Sequence, residues 1–340
     1  MSTSLADVAR ISGVSTATVS HVINGTRYVS PSTIEKVQRA IASTGYRPNP
    51  YARALRTATS ESIGFVASDV ANTYSTSVMR GIAGALRTRG YTLLVANADE
   101  DPALEREAIE ALVERMVDGL IVAPTTSTDP ISFEQIEEIG VPVVLVDRAV
   151  PLDLDQVLVE NVDSVAEVVG QMLDAGHRRI AVVGGRAGHS TTTERMQGWR
   201  KAHTDRGLVC DESLAVLDVF DASRARHATE RLFARENRPT ALFSMSNVMS
   251  LGILRALSDL RLVIPRDVSF AAFDDIEWID LLDHPVTCLA QPTEEVGSNA
   301  VELVLTRIAN PAVEHRVVRL APSLCDRGSI AEPPRGRRTV

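Results

Sequence analysis

The sequence predicts an α/β protein built in two parts. The first is an N-terminal three-helix headpiece with a helix-turn-helix, followed by a short hinge helix. The second is a body of two α/β subdomains with parallel sheets. Three observations predict this. Helix caps and glycine turns recur at short spacing through the first fifty residues. From residue 62, short β-rich runs alternate with helical stretches. Beyond residue 160 the alternation starts again, so each half of the body has a comfortable domain length of roughly 100 residues.

In the headpiece, Ser4 with Asp7 three residues on forms a Ser-x-x-acid capping arrangement. Leu5, Val8, Ala9 and Ile11 give the first helix an apolar stripe, and Gly13 supplies a turn. Ser15 caps a second helix whose buried side is Val19, Val22 and Ile23. Its outward positions, Thr16, Ala17, Ser20 and His21, are small or polar. An apolar back with short hydrogen-bonding residues at the exposed N-terminal end suits the DNA major groove, although amphipathic helix pairs with a glycine turn also occur as plain structural modules. Ser30-Pro31 opens a third helix with Ile34, Val37, Ala40 and Ile41 on one face, ending before Gly45. Asn49-Pro50 can open a further helix of about two turns, too short to be stable alone.

The chain has 340 residues, 44% hydrophobic and 4% aromatic, which indicates an ordinary soluble protein with an aliphatic core. No apolar run is long enough for a membrane span, and the N-terminus lacks a signal-peptide pattern. Cys210, Cys288 and Cys325 are odd in number, far apart in sequence and outside any CxxC spacing. That predicts reduced thiols in a cytoplasmic protein rather than disulfides or a metal site; no cofactor is expected. Charge is divided unevenly: residues 1–59 carry seven basic side chains against two acidic, a balance of +5. The whole chain stands at −9, so residues 60–340 carry −14. A basic headpiece on an acidic body lets only one end meet phosphates.

In the body, IGFVAS, YTLLVAN, GLIVAP and VPVVLVD read as strands, with helices around 76–89, 103–116 and 132–139. After a helix at 163–175 come RIAVVGG, AVLDVF, TALFSM and VSFAAFD, with helices near 194–206, 223–235 and 247–259. Such buried parallel sheets bind ligands at the carboxyl ends of their strands. The residues found there include Asn72 to Ser75, Asp147, Arg148, Gly184 to Arg195, Phe220, Asn247 and Asp274. Hydroxyls, amides, carboxylates and arginine dominate, which suits a small polar effector held by many hydrogen bonds. Asp274 and Asp275 are adjacent at a strand end and point apart, so one faces ligand and the other caps or faces solvent.

The motifs GVSTATVSHVIN, VS before the third helix, and GYRPNPYARAL closely resemble the headpiece of the LacI family of bacterial transcription regulators. The likeness continues through SIGFVASDVAN, VDGLIVAP, GHRRIAVVGG and VIPRDVSFAAFDD and covers roughly residues 4–328. It implies a periplasmic-binding-protein-like body, a homodimer, and double-stranded DNA with a pseudo-palindromic operator as partner. By this resemblance Thr16, Ala17 and His21 fall where base edges are read, while Ser15, Thr18, Ser20, Asn24 and Arg27 suit phosphates or capping. In the family the hinge forms when two copies meet on DNA and a leucine enters the minor groove. Here that residue is Leu55, with Ala54 beside it and Arg53 or Arg56 near the backbone; a flexible linker is the bland alternative.

The same resemblance places Arg195 and Asp274 where effector hydroxyls or ring atoms are gripped, and Tyr74 and Phe220 where the ligand is lined or stacked. Asn72-Thr73-Tyr74-Ser75 replaces a more aromatic loop, Asn247 stands where aspartate is frequent, and Arg148 where the purine repressor is apolar or aromatic. These departures favour a sugar or sugar derivative; Arg148, Arg195 and His189 leave a carboxylated or phosphorylated ligand open. The implied domains are a headpiece at 1–48 and a hinge at 49–61. A first subdomain spans 62–160, with about 292–325 returning to it, and a second spans 161–291. The end of the chain, 326–340, reads as a disordered tail.

GGRAGHS (184–190) lacks the ending of a Walker motif, and no GxSxG or HExxH motif appears. The expected role is therefore a ligand-responsive transcription regulator, a repressor, and not an enzyme. A sugar-binding receptor or enzyme with the N-terminal helices as an interaction module is the alternative.

Overall fold

The computed structural model describes residues 3–46, 59–126 and 140–334. They form two compact units that divide at Ser60. The hinge residues Ala54, Leu55 and Arg56, and the helix expected at 132–139, lie outside the described residues.

The first unit contains α1 (Leu5–Ser12), α2 (Thr16–Asn24) and α3 (Pro31–Thr44). Ser4 and Asp7 complete the capping box that the sequence implies, and Gly13 closes α1 in the left-handed conformation at φ 70°. Ser15 Oγ accepts the Thr18 N–H at 3.1 Å. Val8, Ala9, Val19, Val37 and Ala40 form the core, flanked by Leu5, Val14, Val22, Ile23, Ile41 and Tyr46. Two expectations need correction. Ile11 is 51% exposed, because it lies two positions past Ala9 and so about 200° around the helix. Ser30 occupies the cap position of α3 but its side chain makes no capping bond; its hydroxyl meets those of Ser32 and Thr33 instead.

The second unit has two lobes. The first lobe's sheet comprises β1 (Ser62–Ala67), β2 (Thr92–Asn97), β3 (Gly119–Val122), β4 (Val143–Val146), β5 (Asp155–Val159) and β11 (Val317–Leu320). Its order is β11-β5-β4-β3-β1-β2 and every pairing is parallel. The second sheet comprises β6 (Ile180–Val183), β7 (Ala215–Val216), β8 (Ala241–Ser244), β9 (Ser269–Phe273), β10 (Thr287–Ala290) and β12 (Ser323–Cys325), in the order β12-β10-β9-β8-β6-β7. Parallel sheets of this kind need helices on both faces. They are supplied by α4 (Thr73–Arg87), α5 (Pro102–Glu114), α6 (Val162–Asp174), α7 (Ser190–Thr204), α8 (Ala222–Phe233), α9 (Asn247–Asp259) and α10 (Thr293–Ala309). At the crossing of α4 and α10 a Cβ on Gly297 would lie 2.5 Å from the Ile82 nitrogen, so only glycine lets the two backbones approach.

The body departs from the sequence reading at its far end. The run AVLDVF yields only the two-residue strand β7. The chain returns to the first lobe with α10 and β11, then crosses again, and β12 pairs antiparallel with β10 of the second lobe. Residues 326–331, placed in a disordered tail, are packed: Ser329 is fully buried and its hydroxyl donates to the Phe270 carbonyl at 2.6 Å. Composition misled here, since backbone edges satisfied by the second sheet leave no mark in the residue types. His177 joins distant segments. Nδ1 meets Thr240 Oγ1 at 2.8 Å, and Nε2 lies 2.8 Å from the Ala331 carbonyl.

Candidate functional site: a helix-turn-helix face and a polar cleft

On α2 the residues read as outward differ in exposure. Thr16 and Ala17 are exposed, and Thr18, Ser20, His21 and Asn24 are half-buried. His21 Nδ1 is 2.7 Å from Thr26 Oγ1, which fixes the ring on the helix surface. Asn24 Nδ2 is committed to the Ser20 carbonyl at 2.7 Å. Arg27 is exposed, and Tyr28 beside it is 91% exposed; the sequence reading did not single Tyr28 out.

In the body the strand order reverses between β1 and β3, and again between β6 and β8. A crevice opens at such points beyond the carboxyl ends of the strands. A cavity of about 140 Å³ lies there, lined from both lobes. Asn72, Tyr74, Asp147 and Arg148 come from the first lobe, and His189, Arg195, Phe220 and Asp274 from the second. Asp147 and Asp274 follow β4 and β9, at matching places in the two lobes. Both adopt left-handed backbone, at φ 72° and 76°. Their N–H groups return to the Val157 and Leu289 carbonyls, and each residue lines the cavity. This conformation is uncommon outside glycine but tolerated by aspartate.

Asn247 is the exception among the expected lining residues. Its side-chain N–H₂ donates to Asn72 Oδ1 at 2.8 Å and Thr73 Oγ1 at 2.7 Å, tying the second lobe to the first. Only its backbone N–H turns to the site, donating to Asp274 Oδ2 at 2.9 Å. An aspartate there has no proton to give Asn72, so the amide has a use that a ligand-gripping reading missed. Ala149 N–H, donating to Ser190 Oγ at 2.8 Å, adds a second bond between the lobes.

Two residues that sequence reasoning missed change the chemistry of the cleft. Glu100 forms a bidentate pair with Arg148, at 2.6 and 2.9 Å. It sits in a left-handed stretch after β2, forty-eight positions from its partner, and no motif marks it. Gln291 donates to Asp274 Oδ1 through Nε2 and also lines the cavity. Burial opposes the Arg148 charge, but Glu100 and Asp147 outweigh it and hold the guanidinium pKa above its usual value. Burial, with the field of Arg148, pulls His189 down to about 4, so the ring is neutral near pH 7. Arg195 lies over the Phe273 ring at 3.6 Å and donates to Asn161 Oδ1 at 2.8 Å and to the Met245 carbonyl. The arginines of the cleft are therefore compensated by Asp69, Glu100, Asp147 and Asp274.

Burial is the first cause that raises the Asp147 pKa, and it likewise raises that of Tyr74. Phe220, 47% exposed, stands at the cavity mouth with the Arg224 guanidinium 3.7 Å from its ring centre. Asp275 leaves the cavity wall to Asp274 and instead pairs with Arg327. Trp199 is fully buried in the second lobe. Cys288 and Cys325, far apart in sequence, are directly opposed on β10 and β12.

No described helix is long and apolar enough to cross a membrane. A helix-turn-helix on the same chain as a two-lobed cleft of this topology defines a ligand-responsive DNA-binding regulator. Residues 4–49 match the family model described as bacterial regulatory proteins, lacI family, and residues 169–330 match a periplasmic binding protein-like domain. The chain is 32% identical over 325 residues to the ribose operon repressor of Escherichia coli, covering 95% of this chain and 98% of the relative. It is 31% identical over 325 residues to the transcriptional repressor PurR of Vibrio atlanticus, covering 95% and 97%. The structure of a lac repressor dimer bound to operator and an anti-inducer superposes with a TM-score of 0.87. That match has 25% identity and covers 97% of this chain and all of that one. The chain belongs to the lacI family: it is a DNA-binding transcription regulator with an effector-binding body, and not an enzyme.

Proposed function

We propose that this regulator is a cytoplasmic homodimeric repressor whose hold on a pseudo-palindromic operator is set by a neutral, polyhydroxylated carbohydrate bound between the lobes. One observation carries the effector class. Tyr74 Oη, Gln291 Oε1 and Arg148 Nε are buried at the cavity with no hydrogen bond among the described residues, Arg148 Nε standing 3.6 Å from Asp147 Oδ2. A buried polar group left unpaired costs about 1–3 kcal/mol. A sugar's hydroxyls both donate and accept, and so satisfy all three. An anionic ligand instead meets four carboxylates against three arginines, a neutral His189, and an Arg148 already paired with Glu100. Identity does not choose between classes, since relatives named for the ribose operon and for purine repression score alike.

In this reading Thr16, Ala17 and His21 meet base edges in the major groove, with Ser15, Thr18, Ser20, Asn24 and Arg27 near phosphates. Leu55, flanked by Ala54 and Arg56, wedges into the minor groove. Closure of the lobes on the sugar alters the dimer and so the operator affinity, a coupling of about 1–3 kcal/mol. The test combines operator anisotropy with a thermal-shift screen of pentoses, hexoses, sugar phosphates and purines. A neutral sugar is expected both to raise the melting temperature and to change operator affinity. A response confined to purines or to phosphorylated sugars overturns the effector class. A Leu55→Ala variant is expected to keep its fold and lose specific operator affinity; unchanged affinity and DNA bending defeat the wedge.

A further inference from the structure

The second lobe holds a cluster that the effector cleft does not use. Cys288 on β10 and Cys325 on β12 are register partners in an antiparallel pair. Their sulfurs and an Asp275 oxygen all lie within 4.8 Å of one another. Residues directly opposed in such a pair have Cα atoms about 4.5–5.5 Å apart, inside the span a disulfide bridges. Both thiols are free in the structure. Cys288 is buried and Cys325 half-buried, so solvent reaches the pair through Cys325. The same three groups resemble a soft-metal site, but Arg327 fills it. Its Nη1 donates to Cys288 Sγ at 2.9 Å, and its Nη2 binds both Asp275 oxygens at 3.1 and 3.0 Å. A cation there would face a guanidinium, whereas a disulfide needs only the two sulfurs to close on each other.

We propose that Cys288 and Cys325 form a reversible intramolecular disulfide on reaction with a hydroperoxide, making this lobe a site of oxidative modification. The Cys325 sulfur attacks the outer peroxide oxygen. The O–O bond breaks, the alkoxide takes the Cys325 proton and leaves as alcohol (water, when the oxidant is hydrogen peroxide), and Cys325 becomes a sulfenic acid. The Cys288 sulfur then attacks the Cys325 sulfur and the S–O bond breaks. The hydroxide released takes the Cys288 proton, relayed by Asp275, and leaves as water. Two thiols are oxidised by two electrons and one peroxide is reduced. Burial raises the Cys288 thiol pKa, so Cys325 and not Cys288 is the thiol that meets the peroxide.

The bond has a route to the cleft. Arg327 also pairs through Nε with Asp280 at 2.6 Å, so it anchors the segment 275–280 that follows Asp274. Once Cys288 is bonded to Cys325, its sulfur is drawn off the guanidinium, and Arg327 is held less firmly against Asp275 and Asp280. That the loosening reaches an effector rests on the proposed function; the disulfide and the loosening do not.

The experiment treats the reduced full-length protein with hydrogen peroxide and blocks residual thiols with iodoacetamide. Linked peptides are then mapped, and hydrogen exchange is followed over 275–283. The expected result is a Cys288–Cys325 linked peptide that dithiothreitol removes and that Cys325→Ser lacks, with Cys210 still alkylated. Exchange over 275–283 should rise in the oxidised wild type and not in Cys325→Ser under the same treatment. Separate oxidation of the cysteines, links between chains, or protection of both thiols by zinc ion alone each overturn the disulfide. A linked peptide with unchanged exchange overturns the route to the cleft and leaves the effector reading untouched.

Discussion

The headpiece and the body hold the residues proposed to do their work in opposite ways. On α2 the outward positions Thr16 and Ala17 are exposed, and the fold is carried by Val19 on the other side. In the cleft, Arg148, Arg195 and Asp274 are each nine-tenths or more buried and bonded to one another's neighbours. A surface reader separates recognition from folding, because changing an exposed side chain costs little stability. A buried polar network cannot, because each member satisfies another. Recognition in the headpiece should therefore be exchangeable residue by residue, whereas the cleft should respond as a unit.

The largest expected effect follows from that contrast. Asp274→Ala strips the acceptor from both the Asn247 N–H and Gln291. Ligand affinity, read by calorimetry, should fall about a hundredfold or more, since two hydrogen bonds to a charged group are lost along with the ligand's own. Operator binding without ligand should persist. A fall below tenfold would mean that the cleft is not one network. Next, Val19→Ala should destabilise the headpiece by about 2 kcal/mol, a large share for a core of five buried residues. Operator binding should weaken while ligand binding by the body stays unchanged, and a change in the latter breaks the separation.

Asn247→Asp should shift ligand affinity by roughly tenfold, or about 1.4 kcal/mol, because a carboxylate facing Asn72 Oδ1 repels where the amide bonded. Asn247→Gln should keep part of the donor. Equal behaviour of the two variants would remove the bond between the lobes from the account.

Acidity provides a fourth handle. His189 is held at about 4 in the folded body against 6.5 unfolded, so between those values the unfolded chain binds more protons. Stability is then full above about 6.5 and is lost as pH falls toward 4. The loss is on the order of 1–2 kcal/mol, reduced because the ring is partly solvated. His177 is shifted the same way by burial and adds to the slope. His189→Gln should flatten the melting temperature over that window, and an unchanged slope assigns it elsewhere. Smallest of all, Ser15→Ala should cost the headpiece about 1 kcal/mol through the lost Thr18 cap, visible as a small drop in its melting temperature.

The contrast also explains what could be read from the chain. Capping boxes, glycine turns and proline starts are local, so α1 and α2 were legible to within a residue or two. So were the cleft residues that end a strand, since Asp147, Arg148 and Asp274 follow from the rule about carboxyl ends. Glu100 and Gln291 were not legible. Their roles come from partners far away in sequence, and a glutamate in an acidic stretch looks like a solvated face. Asn247 was found but misjudged, because its amide faces a partner in the other lobe that only folding supplies. The opposition of Cys288 and Cys325 was hidden for the same reason. It depends on the last crossing of the chain between lobes, which neither the spacing of cysteines nor the composition of the tail betrays.

The central claim is that a neutral polyhydroxylated ligand in the buried cleft controls what the exposed headpiece can read. The most direct test is operator anisotropy on the full-length protein and on Asp274→Ala, using an operator selected from random DNA and a panel of neutral sugars. The account predicts that a neutral sugar shifts the operator affinity of the wild type by about 5–150-fold, and that Asp274→Ala binds operator with no shift. A shift of the same size in the variant, or a wild type that answers only to anionic or purine ligands, would contradict it.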